Sequence, residues 1–97
     1  MMVADLDEVD YALEVDGEEV RRTVHRQVWE HGGWATVAIV FEDKGPDGWK
    51  PAKLVLIRLQ RVREAWKRHA TVTLRGADAL ALADALDAWR GAFTAES

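Results

Sequence analysis

From Val9 to Val15 apolar side chains fall at every second position, as Val9, Tyr11, Leu13 and Val15. That is the period of a half-buried strand. Asp16-Gly17 follows, and Asp-Gly between two alternating runs predicts a tight hairpin. Residues 20–31 are ambiguous by spacing alone, because Val20, Val24 and Val28 recur four apart as on a helix. Their β-branched content, Trp29 and the stop at Gly32-Gly33 favour a strand. Residues 34–42 form a second strand, and residues 52–60 a third that is apolar on both faces. Between them "EDKGPDGWKP" holds both prolines of the chain and reads as a loop. After a turn at residues 62–65, residues 66–74 supply a fourth strand. The rhythm then changes to that of a helix, with Ala79, Leu82, Leu86, Trp89 and Phe93 on one stripe and Leu80 on the opposite side.

Strands in succession followed by a helix predict an α+β domain: a four-stranded antiparallel meander with one C-terminal helix, ββββα, and an extra N-terminal strand as an option. The boundaries expected are an acidic lead over residues 1–19, with its first eight residues as a mobile tail, the domain over 20–93, and a short tail over 94–97. The helix stripe is expected to cover one sheet face and leave the other open. Strict alternation then places Ala70, Val72 and Leu74 with Trp66 and Arg68 on the covered face. Lys67, His69, Thr71, Thr73 and Arg75 fall on the free one.

The formal net charge is −4, but it is segregated. Residues 1–19 carry eight acids and no Lys or Arg, whereas residues 20–75 carry twelve Lys and Arg against five acids. The middle of the chain is thus a basic module between acidic ends, and its local field matters more than the total. The absence of Cys excludes disulfides and thiolate metal sites. His25, His31 and His69 lack metal-ligand spacing, and no metal or other cofactor is expected. No phosphate-loop, zincin or nucleophile-elbow motif occurs, so an enzyme is not expected. The acidic lead does not resemble a signal peptide and no apolar run is long enough to span a bilayer, which predicts a cytoplasmic protein without membrane contacts. A chain of 97 residues buries only roughly 60–65% of its unfolded surface, so two-fold assembly would add stability.

Within the basic module, Arg21, Arg22, Arg26, Lys50, Lys53, Arg58, Arg61, Arg63, Lys67, Arg68 and Arg75 are interleaved with Trp29, Trp34, Trp49 and Trp66. Single-stranded nucleic acid calls for this mixture, because cations follow phosphates while flat rings accept unstacked bases. The candidate contacts are Trp34, Trp49, Lys50, Lys53, Arg58, Arg61, Trp66, Lys67, Arg68 and His69. Edge-strand cations and buried tryptophans are the plainer alternative for the same residues.

The order of elements resembles the positive cofactor 4 family of transcriptional coactivators and their bacterial and phage relatives. "VLIRLQ" supplies the family's third-strand Ile-Arg as Ile57-Arg58, and "HATVTLRGADAL" supplies a Val72-Thr73-Leu74 triplet leading into a helix. "DKGPDGWKPAK" resembles the long basic connection, and "GGW" at 32–34 the Gly-Trp opening of the second strand. Gln60, Thr71, Gly76 and Ala79 stand where the family has an aromatic, a Gly, a Pro and a Trp. The resemblance implies a homodimer that binds single-stranded DNA, or RNA, across its sheet with low sequence preference, near the transcription machinery. A protein-interaction module without nucleic acid is the alternative.

Overall fold

The computed structural model describes residues 2–93. Seven strands form an antiparallel sheet: β1 (Met2–Val3), β2 (Leu13–Val15), β3 (Glu18–His31), β4 (Trp34–Gly45), β5 (Gly48–Trp49), β6 (Lys53–Val62) and β7 (Ala65–Arg75). Their spatial order is β1-β7-β6-β4-β3-β2, with β5 paired to the end of β4. One helix, α1 (Gly76–Ala88), follows β7, and single 3-10 turns occur at Leu6–Glu8 and Arg90–Ala92. The predicted α+β class and its four central strands are present as β3, β4, β6 and β7. The expected meander was too narrow: β1 and β2 extend it at opposite edges, and the loop over 42–51 contains a small hairpin. The predicted tail at 94–97 lies outside the described residues.

Turn chemistry sets the register. Asp16 and Gly17 have φ of 53° and 80° between the paired residues Val15 and Glu18, the two left-handed positions a tight hairpin needs. Gly32 and Gly33 do the same between His31 and Trp34, at φ of 58° and 84°. A side chain at either glycine would strain that turn and loosen the β3–β4 register.

The core lies on one face of the sheet. Ala35, Val37, Ile39 and Phe41 of β4 alternate inward, joined by Val55, Ile57 and Leu59 of β6 and Trp66 of β7. Helix α1 does not cover this face, contrary to the sequence expectation. It touches the ends of β6 and β7, and none of its residues is buried. The cover comes instead from the N-terminal lead, of which residues 1–8 were expected to be a mobile tail and Val9–Val15 a strand. Leu6 and Val9 are buried in the core, and Val3 and Tyr11 pack against it. Full burial of a side chain such as Leu6 or Val9 contributes about 1.5–3 kcal/mol.

The lead is also held by polar contacts. The Arg26 guanidinium donates to the backbone carbonyls of Leu6 (2.5 Å) and Val9 (2.9 Å). Asp5 and Glu8 cap the 3-10 turn through a reciprocal capping box. The Asp10 carboxylate accepts from the Thr23 hydroxyl at 2.5 Å, with the Tyr11 amide a further donor at 2.8 Å. The Thr23 hydrogen bond above all holds the Asp10 carboxyl below the usual range. A carboxylate whose folded pKa is depressed adds stability that is full above its unfolded value. The contribution is lost as pH falls through the folded value. Thermal stability should therefore be flat in this respect down to about pH 5 and decline below about pH 4. Melting curves of the parent chain and Asp10→Asn across that range check this. The parent should lose more stability on acidification, and equal slopes would refute the assignment.

Candidate functional site

The face opposite the core is open. Half of it is apolar: Ala38 and Val40 of β4, Leu54 and Leu56 of β6, and Val72 and Leu74 of β7. The other half is built from residues around the Gly32-Gly33 turn and the strand ends beside it. β3 presents Trp29 and His31, with Gln27 and His25 running back along the edge beside the apolar half, and β4 presents Trp34 and Thr36. β6 adds Arg58 and Gln60, and β7 adds Lys67 and His69. Among the described residues, alternation places no carboxylate on this half, although Glu30, on the other face of β3, also lines the cleft beside Trp29 and His31.

One irregularity builds the patch. In β7, Ala70 pairs with Arg58 and Arg68 with Leu59, so His69 is an extra residue in the strand. Such a bulge breaks strict alternation and re-aims a side chain. His69 swings onto the open face, its ring edge-on to Trp34 with centroids 5.2 Å apart. The bulge also reverses the parity expected beyond it. Val72 and Leu74 lie on the open face with Lys67, whereas Thr71, Thr73 and Arg75 lie on the core side. The sequence row of Lys67, His69, Thr71, Thr73 and Arg75 is thus split between two faces.

Arg58 is the centre of the patch. Its guanidinium lies over the Trp34 ring, 4.9 Å from the centroid, and its Nη1 donates to the Thr36 hydroxyl at 2.8 Å. One of its five N–H donors is so engaged. Trp34 is therefore flanked by Arg58 and His69 and fixed by both. Trp29 is freer: 56% exposed, it lines an open cleft of about 520 Å³ with His31, Gly32, Trp34, Thr36 and Arg58.

The ten candidates from the sequence do not form one site. Trp34, Arg58, Lys67 and His69 converge. Trp49 and Lys50 sit at the far end of the sheet, where the Arg22 guanidinium lies 4.1 Å above the Trp49 ring and pairs with Glu42 at 2.7 Å. Lys53 is on the core side, 3.9 Å from Asp43. Arg61 and Arg68 also belong to that side; Arg61 lies 5.8 Å from the Trp66 ring centre, and Arg68 borders a cavity with Glu8 and Asp10. Trp66 is corrected outright as a stacking candidate. It is 5% exposed, in the core and paired to β1. Its place on the covered face had been legible from alternation. Trp29, interleaved with the cations but left out of the ten candidates, is the residue that reasoning undervalued. Its even spacing from Gln27 and His31 on a polar strand face was the available signal.

Among the described residues, no three His, Asp or Glu side chains converge as a metal site requires. No helix among them is long and apolar enough to cross a membrane. Compared with protein-family models, curated proteins and solved structures, the chain matches none.

Proposed function

We propose that this chain binds single-stranded nucleic acid, DNA in the first instance, on the aromatic and cationic half of its open sheet face. The supporting observation is the convergence of Trp29, Trp34, Arg58, Lys67 and His69 on an uncovered surface where Glu30 is the one carboxylate lining the cleft among the described residues. Trp29 offers a free ring for an unstacked base, a contact of about 1–3 kcal/mol. Arg58, held flat by Trp34 and Thr36, keeps free donors for phosphate oxygens, and Lys67 adds a second charge. None of these groups forms a directional array matched to one base edge, which fits low sequence preference. A role in transcription follows only from the likeness of element order to the coactivator family.

Titration with labelled oligo(dT) at two salt concentrations tests the reading. Affinity should fall as salt rises, with a log–log slope of about −0.7 for each phosphate neutralised, hence about −1.4 for Arg58 and Lys67 together. An RNA oligonucleotide of the same length separates DNA from RNA preference. No binding at low salt would overturn the proposal and leave the open face to a protein partner.

A further inference from the structure

The chain has three histidines, and all three lie on the open face. Two of them border the patch. His31 lines the cleft beside Trp29, and His69 stands edge-on to Trp34, placed there by the β7 bulge. Both are exposed, and neither enters an ion pair among the described residues. The groups that face them differ from strand to strand. On β7, Lys67 shares the face of His69, while Arg68 turns to the core side beside Glu8 and Asp10. On β6, Arg58 and Gln60 lie across from it. Arg61, next to the Gly-Gly turn, is drawn to the Arg63 carbonyl and the Trp66 ring instead. β4 brings the uncharged Trp34 and Thr36, and β1 brings the uncharged Met2 and Val3. On β3, Glu30 lines the cleft next to His31. Arg58 and Lys67 against Glu30 leave the patch one net positive charge, and protons on both histidines raise it to three.

We propose that His31 and His69 are proton-dependent phosphate contacts, which make the patch hold single strands tightly in mild acid and weakly in mild base. This rests on the reading of the patch as a single-strand site and assigns its regulation. Histidine is the side chain that changes charge between about pH 5 and 8. A neutral imidazole offers one N–H donor, whereas the cation offers two and makes the stronger, charge-assisted bond to a phosphate oxygen. A phosphate seated beside the ring in turn favours its charged form, so binding takes up protons. Affinity must then rise as pH falls, tenfold for each unit by which the bound strand raises a histidine's pKa. Position explains why these two histidines and not the third. His69 stands between the Lys67 and Arg58 cations, on the path a backbone would follow across the strands. His31, once charged, offsets Glu30 at the mouth of the cleft that holds Trp29. His25 lies opposite Val40, six residues back along β3 and thus about 20 Å from His31. That is more than two screening lengths at roughly 0.15 M salt, so its charge does not reach the patch.

Anisotropy of labelled oligo(dT) with the full chain at about pH 8 and about pH 5.5 tests this, since thymine takes up no proton between them. Both values lie above the range where the Asp10 contact weakens. The parent should bind about 10-fold more tightly at the lower pH, half a unit of pKa from each histidine. Its log–log salt slope should steepen from about −1.4 to about −2.8, two further phosphates at about −0.7 each. His31→Gln and His69→Gln should each remove about half of that steepening, and the double variant all of it. Both positions are exposed, so circular dichroism should be unchanged. His25→Gln should keep the parent's pH response. Should a variant not fold, proton NMR of the parent gives the second measurement: two of its three imidazole resonances should titrate at higher pH when oligo(dT) is present. Binding that is equally tight at both pH values sinks the histidine contacts and leaves the single-strand reading standing. Absence of binding at both pH values in low salt overturns the two together. A pH response that survives the double variant, or is lost in His25→Gln, shows that the proton sits elsewhere and refutes the assignment.

Discussion

Phe41→Ala should destabilise the chain by about 3–5 kcal/mol, a cost of truncating a buried ring in a tightly packed core. Phe41 is almost wholly buried on the core face of β4, beneath the N-terminal lead. Its ring centroid lies 4.7 Å from that of Tyr11, and the Arg21 guanidinium lies 5.0 Å above it, fixed by Asp43 at 2.7 Å. That ion pair, with its hydrogen bond foremost, raises the Arg21 pKa, so the cation stays charged over its rings at any workable pH. Truncation thus opens a cavity and also removes the surface on which Tyr11 brings the lead back to the sheet. A domain of this size has about 5–15 kcal/mol of stability in total. The melting temperature should drop by about 15 °C or more. Chemical denaturation of Phe41→Ala and Phe41→Leu checks the claim, the second variant recovering most of the loss. A cost below about 1 kcal/mol for Phe41→Ala would show that the lead does not pack as described.

Trp29→Ala should weaken oligo(dT) binding about 10- to 100-fold with almost no change in stability. The two halves of that expectation have separate origins. The affinity loss follows from removing the one ring of the patch whose face is not engaged. The neutral stability follows from its exposure, since surface substitutions away from caps and turns lie within about 0.5 kcal/mol. Trp34→Ala should behave differently, because Trp34 supports Arg58 and His69 and its loss frees both. It should reduce affinity and also broaden the salt dependence. Arg58→Ala should reduce affinity by a similar factor and lower the salt slope by about 0.7. Anisotropy of a labelled oligonucleotide is the appropriate readout, because the tryptophan signal changes with the variants themselves. If Trp29→Ala binds like the parent, single strands do not use this cleft.

Much of the fold was legible because the local signals agree. Asp16-Gly17 and Gly32-Gly33 supply left-handed turns that only a few residues adopt easily, and the strands beside them alternate cleanly. What covers the core was not legible. Leu6 is a single apolar residue in an acidic run, the alternation that starts at Val9 does not say that Val9 closes the core, and both are held by Arg26, 20 and 17 residues away. The helix stripe looked like a cover because an amphipathic stripe needs one, but periodicity does not say which molecule supplies it. For the candidate site, alternation placed Trp66 correctly and then failed after His69. A bulge adds one residue without any turn-forming Gly or Pro to announce it. Trp34, Arg58, Lys67 and His69 were found from residue type, whereas their separation from Lys53, Arg61 and Arg68 required the register.

The stretch from Val3 to Tyr11 is anchored through its backbone, its apolar side chains and the Asp10–Thr23 hydrogen bond. Arg26 grips two carbonyl oxygens, and the acids of the 3-10 turn serve its own capping. Salt therefore acts on the two faces of the sheet unequally. At ~1 M salt the screening length shrinks to about 3 Å and the phosphate grip of an exposed Arg or Lys is largely cancelled, while burial of Leu6 and Val9 is untouched. A concentrated salt wash should strip adventitious nucleic acid from the purified protein without undressing its core.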